Sequence, residues 1–464
     1  MPNTANIAQS ILHSIKELSE ASCQRLIIAY SGGIDSEVLA HAVSELTRVQ
    51  AHLSAVLIHI HHGLSPDADD WVKHCESRAL AYNLPLIVKK VAVKQGARLS
   101  IESEARRARY QALLSEMKLG DVLFTAHHQD DQLETLLLAL KRGQGPKGLA
   151  SMGVTQPLDN GLLQLRPLLD ISRIEIEQYA KQYGLSNIED DSNQDVRFDR
   201  NFLRLNVIPQ LKQRWPAIAT TACRSAELCR EQQSLLDEVS EQKLLAHIQA
   251  SPFAKYVLNI NSFGLLPYAW QRQLFRTFLS KLDLPNLSKI QLDETLEQLQ
   301  TAKAGAKVEI KASGVIVRRF NHQVYAHDYP QELIKPDDIE AVNLLELLAK
   351  SERVELKVNS LNTLIVEKTM TDESDPLTQL RLPKLNEVVS IRFGVAGSTL
   401  CKPTFRDKSR SLKKLWQELQ VPPWERSRVP LLFYNEQLVC AIGYWVDKVA
   451  QADVESQSIY VRQN

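Results

Sequence analysis

The chain of 464 residues is expected to open on an α/β domain with a doubly wound parallel sheet, followed by a mostly helical middle domain and a small α+β C-terminal domain. Three observations carry that expectation. From 26 to about 183, short apolar runs alternate with stretches of helical periodicity, as strands covered by helices on both faces require. After Trp215-Pro216 the alternation gives way to long polar helical stretches, 217–250 and 268–303. Near the C-terminus short strand-like runs return around one amphipathic helix.

The strand candidates of the first domain are 26–30, 53–60, 86–91, 121–126 and 162–166. Between the first two, Val38, Leu39, Ala42, Val43 and Leu46 share a helical face, and Leu133, Leu136, Leu137 and Leu140 do so later. Ser172 followed by Glu175 is a capping box, opening a helix that Gly184 closes. Residues 308–327 read as short antiparallel strands turning at Ser313-Gly314 and Asn321-His322. Residues 331–380 are acid-biased and lack a clear period until about 352, which suggests a connector. In 411–419, SLKKLWQEL, a helix turns Leu412, Leu415, Trp416 and Leu419 inward; Pro422-Pro423 stops it, and 429–434 and 438–446 form a hairpin. The expected boundaries are 1–215 for the nucleotide-binding catalytic domain, 216–330 for a helical substrate-binding domain, 331–384 for the connector and 385–464 for the last domain.

Composition narrows the class. With 44% hydrophobic and 24% charged residues the chain is of ordinary globular make-up. Cys23, Cys75, Cys223, Cys229, Cys401 and Cys440 are scattered with no C-x-x-C pair, which is neither a zinc or iron–sulfur pattern nor a compact disulfide framework. The first Lys is Lys16, so no cationic segment precedes an apolar run and no secretory signal is expected. Apolar runs such as 26–30 and 135–140 are far shorter than the roughly 20 residues of a membrane span. The expectation is a cytoplasmic protein with reduced thiols and no membrane partner, its oligomeric state, monomer or dimer, left open.

The sharpest local signal is Ser31-Gly32-Gly33-Ile34-Asp35-Ser36, directly after one strand candidate and directly before a periodic helix. Two glycines let backbone N–H groups approach an anion, the two hydroxyls add donors, and the helix N-terminus adds positive dipole. That is a phosphate cradle, though not a Walker A loop, since no lysine and no G-x-x-x-x-G-K-[ST] is present. Asp35 would repel bare phosphate, so its place there suggests Mg²⁺ between it and the phosphates. A capped Gly-Gly turn is common in α/β proteins; the order strand, SGGxDS, helix is what favours the cradle.

SGGIDS in this place resembles the PP-loop ATP pyrophosphatases, Rossmann-like domains that adenylate a substrate and release pyrophosphate. HHGL (61–64), IESEARRARY (101–110), AHHQDDQLET (126–135), KRGQGPKGL (141–149), IEDDSN (188–193) and DRNFLR (199–204) follow in order and resemble the tRNA(Ile)-lysidine synthetase family. The stretch 402–434 resembles that family's last domain, and the likeness is weakest over about 225–385. The resemblance implies ATP with Mg²⁺, free L-lysine, and an isoleucine tRNA with a CAU anticodon. It implies ligation of lysine onto C2 of the wobble cytidine through an adenylated intermediate, switching decoding from AUG to AUA. Ser31, Gly32, Gly33, Ile34, Asp35 and Ser36 would hold the nucleotide, with Asp35 on the metal and also catalytic.

His127-His128-Gln129-Asp130-Asp131 sits between a buried strand and a helix beginning near Gln129. Asp131 and Glu134 are three apart and Asp130 and Glu134 four apart, so the carboxylates share a face at the helix N-terminal end. Acidic residues in a first turn are also good dipole partners. Their position at the C-terminal edge of a parallel strand favours a site. The cluster could bind Mg²⁺, a lysine ammonium, or both. In the family reading Asp130 binds substrate, while Asp131, with Glu134 behind it, orients and deprotonates the lysine amine. Arg109 would then stabilise the activated intermediate and Arg106 bind substrate. Arg106 is four residues from Glu102 and Arg109 three from Arg106 on one helix, so those arginines are also possible ion-paired surface residues. His61 and His127 would line the nucleotide pocket, although a histidine at the end of a strand is equally an ordinary structural residue.

Gly143-x-Gly145-x-x-Gly148 matches dinucleotide spacing but follows a helix and contains Pro146, so NAD or FAD binding is rejected. The 55 basic and 55 acidic residues cancel only in the sum. Residues 197–214 carry a surplus of four positive charges, including Arg200 and Arg204; residues 402–428 carry five, including Lys413 and Lys414. Both patches suit tRNA phosphates, the first near the anticodon loop and the second near the acceptor side. A tRNA thiolase of the same superfamily is disfavoured by the missing C-x-x-C, and an amidating enzyme by the absence of an N-terminal catalytic Cys. A non-catalytic tRNA-binding protein is disfavoured by the intact Asp35, Asp130, Asp131 and Glu134.

Overall fold

The computed structural model describes residues 5–16, 25–50, 53–63, 65–93, 101–158, 161–303, 306–328, 338–357, 363–368, 378–452 and 458–463. Cys23, Leu64 and the side chain of Glu102 lie outside the described residues. The chain divides into two compact units, Met1–Glu238 and Val239–Asn464.

The first unit runs α1 (Ala5–Lys16), β1 (Arg25–Ala29), α2 (Ile34–Val49), β2 (Ala55–His61), α3 (Ala68–Tyr82), β3 (Leu86–Lys90), α4 (Ile101–Ser115), β4 (Asp121–Phe124) and α5 (Gln129–Lys141). It continues with α6 (Pro146–Leu149), β5 (Thr155–Pro157), β6 (Leu163–Leu165), α7 (Arg173–Gln182), α8 (Asp199–Phe202), α9 (Ile208–Arg214) and the start of α10 (Ile218–Leu245). The sheet order is β3-β2-β1-β4-β6-β5, parallel except for β5 at the edge. Alternation along β1 explains the double winding. Leu26 and Ile28 enter a core with Val38, Leu39 and Val43 of α2, while Ile27 enters a second core with Val56, Ile58 and Leu113. Both faces of the strand are therefore buried, and a continuous apolar run results.

All five expected strands are present, each shifted by a residue or more at an end. β5, exposed throughout and containing Pro157, had no apolar signature to announce it. The capping box at Ser172 and Glu175 forms, with Gly184 at φ +59° beyond the helix. On α5, Leu133 is buried with Ile208, Ala219 and Ala222, and Leu136 and Leu137 pack against them. Leu140, expected on that face, is 56% exposed.

In the second unit the chain forms β7 (Ile248–Ser251), β8 (Ala254–Asn259), α11 (Ile260–Gly264), α12 (Tyr268–Lys281), α13 (Lys289–Thr301), β9 (Val308–Ala312), β10 (Val315–Phe320) and β11 (Gln323–Asp328). The helical stretch 268–303 is broken at Asp283, whose φ is +57°, just before Pro285. The helices bury Phe263, Leu274, Phe275 and Phe278 against Val315, Val317 and Val324 of a five-stranded sheet ordered β7-β8-β11-β10-β9. The expected turns hold: Ser313 and Gly314 both take positive φ, as does Asn321.

The rest comprises β12 (Ile339–Val342), α14 (Leu344–Lys350), β13 (Arg353–Lys357), β14 (Thr363–Glu367), β15 (Thr378–Arg381), β16 (Val389–Arg392), β17 (Leu400–Cys401) and β18 (Arg410–Ser411). It ends with α15 (Leu412–Glu418), β19 (Leu431–Tyr434), β20 (Gln437–Ala441), β21 (Trp445–Val446) and β22 (Ser458–Gln463). Two sheets, β12-β16-β19-β20-β21 and β13-β14-β22-β15, share a core containing Val354, Val366, Ile391, Leu432 and Val461. The connector expected at 331–384 is thereby corrected. Its described residues supply β12 to β15 and α14; β13 pairs locally with β14, but the other pairing partners lie far along the chain, as in Leu364 opposite Gln463. Local periodicity cannot register such pairs.

Candidate active site

The phosphate cradle forms where β1 leaves the sheet. Gly32 has φ +84°, and a Cβ there would lie 2.3 Å from Ile188 Cδ1 and 3.2 Å from Cys75 Sγ. The Ser36 hydroxyl accepts from the N–H groups of Ser31 (3.2 Å) and Gly32 (3.1 Å) and donates to the Gly33 carbonyl (2.9 Å), which sets the loop's curvature. Gly33 is the N-cap of α2 and no side chain caps that helix, leaving its first-turn amides directed at the loop. Asp35 accepts from Arg173 Nη1 at 2.6 Å, with His128 Nε2 at 3.6 Å.

A cavity of about 420 Å³ opens beside the loop, lined by Ser31, Asp35, His62, Arg109, His127 and Asp190 among others. Of the two histidines ending β2, His62 faces this cavity. His61, expected in the nucleotide pocket, lies 3.2 Å from Asp69 Oδ1 and lines only a neighbouring cavity of about 440 Å³. Strand alternation sends the two side chains to opposite faces, and the first strand residue beyond the sheet could not be chosen from sequence. Arg109 is the principal cation of the cavity. Burial depresses its pKa and outweighs the opposing effect of Tyr110, with Arg106 and then Arg200 lowering it further, and no carboxylate reaches it among the described residues. A buried guanidinium in that condition is a ready site for an anion. Replacing Arg109 by Met should weaken ATP binding about 10–100-fold while raising the unliganded melting temperature by about 2–4 °C, measured by calorimetry and thermal melting.

His127 lies deep in the cavity, its Nδ1 3.0 Å from Thr125 Oγ1. Burial foremost, with Arg166, Arg106 and Arg109 adding to it, holds its pKa far below the usual imidazole value despite Asp131, so the ring is neutral.

The carboxylates gather at the first turn of α5. Its N-cap is His128, whose Nδ1 accepts from the Asp130 N–H at 3.2 Å, while Asp131 Oδ2 accepts from the His128 N–H at 3.0 Å. Asp131 Oδ1 lies 3.3 Å from Arg204 Nη2, and Glu134 Oε1 2.7 Å from Arg204 Nε. Lys212 Nζ donates to Asp130 Oδ2 at 2.6 Å. Burial raises the pKa of Asp131, but His128, the His128 amide and Arg204 outweigh it and hold the group ionised. At Glu134, which is fully buried, burial prevails over Arg204 and the pKa is raised. Glu134 Oε2 has no hydrogen-bond partner.

Arg204 and Lys212 reach α5 from the segment α8–α9, in which Leu203–Val207 is a π-helical turn. Pro209 has no N–H for the Leu205 carbonyl, so the regular ladder is interrupted there. Folding changes the charge balance of the first basic patch. Arg204 pairs with Glu134, Lys212 with Asp130 and Arg197 with Asp195, while Arg200 Nη2 donates to Thr135 Oγ1. The surplus counted along 197–214 omitted the acids of α5, which neutralise much of it. Arg106 is exposed, its guanidinium 5.1 Å from the Tyr110 ring centroid, and is absent from the cavity wall. In the second unit Arg406 and Arg410 both pair with Glu418, whereas Lys413 and Lys414 are exposed on α15.

Four contributors were not anticipated: Arg173 on Asp35, Lys212 on Asp130, and Asp190 and Asn193 in the cavity wall. The last two stand within a noted motif, IEDDSN, but had been given no role; nothing local marks the first two. The expected Gly-rich decoy does follow helix α5, with Gly145 capping α6.

No group of three His, Cys, Asp or Glu side chains able to hold a metal occurs among the described residues. Asp35 supplies one carboxylate beside the cradle. That donor set fits a Mg²⁺ carried by nucleotide phosphates, which commonly takes only one or two protein carboxylates.

A cradle at the end of β1 in a parallel sheet, opening on a cavity that Arg109 lines, defines a PP-loop nucleotide-binding protein, and the PP-loop domain model matches residues 3–211. The TilS substrate binding domain matches 258–325 and the TilS substrate C-terminal domain 389–462. The tRNA(Ile)-lysidine synthase of Shewanella woodyi is 48% identical over 451 residues, covering 96% of this chain and 94% of the relative. That of Shewanella oneidensis is 48% identical over 441 residues, covering 92% and 93%. A U34-tRNA thiolase from Methanococcus maripaludis aligns at 17% identity with a TM-score of 0.40, covering 49% of this chain and 81% of that one. The chain belongs to the tRNA(Ile)-lysidine synthase family, and its PP-loop domain makes it an ATP-dependent ligase. Among the described residues no helix is long and apolar enough to cross a membrane.

Proposed function

We propose that the protein joins free L-lysine to C2 of the wobble cytidine of an isoleucine tRNA with a CAU anticodon, changing its decoding from AUG to AUA. The C2 oxygen attacks the α-phosphorus of ATP, the bond from that phosphorus to the bridging oxygen breaks, and pyrophosphate leaves. The lysine ε-amine then attacks C2, loses a proton, and the C2–O bond breaks to release AMP. Bound Mg²⁺, held by Asp35 and the phosphates, would supply charge neutralisation at the triphosphate. Arg109 faces the anionic nucleotide from the cavity wall, and the α2 N-terminus faces its phosphates.

The lysine amine has a pKa of about 10.4, so baring it at pH 7 costs roughly 4–5 kcal/mol. Asp131, held ionised, suits the ammonium; Glu134, with its raised pKa, suits the proton. This division of work reverses the order expected from sequence, where Asp131 was the base. Arg204 and Lys212 sit where an incoming ammonium would, so lysine exchanges one cation for another without stranding a buried carboxylate.

The observation that carries the reading is the placement of an anion cradle and a three-carboxylate cluster at one sheet edge, Asp35 and Asp131 both lying within 3.6 Å of His128 Nε2. Incubation with ATP, Mg²⁺, labelled lysine and isoleucine-type or methionine-type CAU transcripts tests it. Label in the isoleucine-type transcript alone is expected; label in neither ends the lysidine reading, and label in both ends the selectivity. Exposed Lys413 and Lys414 are proposed tRNA phosphate contacts. Changing both to Ala should lower the slope of log affinity against log salt by about 1–2, read from filter binding at several salt concentrations.

A further inference from the structure

Behind His127 runs a buried polar row that neither the cradle nor the carboxylate cluster uses. Gln164, fully buried on β6, donates through Nε2 to Thr125 Oγ1 at 2.8 Å. The same nitrogen lies 3.2 Å from the Tyr110 hydroxyl. Its Oε1 accepts from Arg166 Nη2 at 3.2 Å. Arg166, 2% exposed, also donates to the Gly153 carbonyl (2.7 Å) and to Gln156 Oε1 (2.5 Å), which fixes its plane.

The row has a direction. A guanidinium only donates, so the Gln164 amide must turn its oxygen to Arg166 and its NH₂ to Thr125. Thr125 Oγ1 accepts that hydrogen and can donate its own to His127 Nδ1, 3.0 Å away. A nitrogen that accepts carries no proton, so the imidazole proton lies on Nε2. We propose that Gln164, oriented by Arg166, is a positioning residue that acts through Thr125 to hold His127 as the Nε2–H tautomer, a hydrogen-bond donor to an acceptor atom of the nucleotide in the cavity. The inference rests on the reading that this cavity takes ATP. It adds that the buried row reaching His127 through Thr125 sets which nitrogen of His127 is the donor.

The test is nitrogen NMR of protein carrying ¹⁵N-histidine, with the His127 signal assigned by its loss in His127→Gln. Protonated Nε2 and bare Nδ1 are expected in the unaltered protein. Gln164→Leu should mix the tautomers and weaken ATP binding about tenfold, the effect of one lost hydrogen bond, with little change in the rate of pyrophosphate release at saturating ATP. Thr125→Val should do the same without touching Arg166, and Thr125→Ser should restore both readouts; these two carry the test if Gln164→Leu does not fold. A protonated Nδ1 in the unaltered protein overturns the proposal, as does an unchanged tautomer in both Gln164→Leu and Thr125→Val. The tautomer is read without substrate, so it stands apart from the outcome with lysine and tRNA.

Discussion

Gly32→Ala should cost the first unit about 2–5 kcal/mol of stability and abolish pyrophosphate release. Two penalties meet at this residue. A side chain at φ +84° carries left-handed strain of about 1–2 kcal/mol, and the new Cβ would stand 2.3 Å from Ile188 Cδ1, where overpacking costs about 1–3 kcal/mol. Ile188 Cδ1 is the end of a side chain and can turn aside, but Ile188 Cγ1 and Cys75 Sγ still stand 3.2 Å from the new Cβ and the positive φ remains, so relief must also come from moving the loop, which displaces the amides that face the phosphates. Gly33→Ala is the control: its φ is −69° and the nearest atom to a new Cβ is Ser31 Oγ at 3.5 Å, so the fold should be little affected. Thermal melting and single-turnover pyrophosphate release measure the pair, and equal stability of the two variants would refute the account.

Asp131→Asn should lower kcat/KM for lysine about 10–100-fold while tRNA-dependent pyrophosphate release in a single turnover stays within about threefold. Asparagine can still accept from the His128 N–H, so the start of α5 is kept, and Arg204 keeps its 2.7 Å contact with Glu134. What goes is one buried negative charge at the place assigned to the ammonium. Asp131→Ala removes the cap as well and should cost about 1 kcal/mol more in stability. Full lysine incorporation by either variant would sink the role given to Asp131.

How much was legible before the fold was known follows from the range of the interactions. Strands β1 to β4 and β6 could be found because each is an apolar run bounded by turns. The cradle could be found because its strand, glycines and helix are contiguous. β5 and the strands β12, β14 and β15 could not, for one is short and polar and the others are completed by partners remote in sequence.

The sequence by itself determined the PP-loop architecture, the phosphate cradle and the carboxylate face of α5, since these rest on contacts within one or two turns of chain. Tertiary structure decided what neutralises them. Arg173 reaches Asp35 across 138 residues, Arg204 reaches Glu134 across 70 and Lys212 reaches Asp130 across 82. It also selected His62 over His61 for the cavity and left Arg109 there without an acidic partner among the described residues. Charge in a buried site is governed by what folding brings alongside it, and a count along the chain cannot register that.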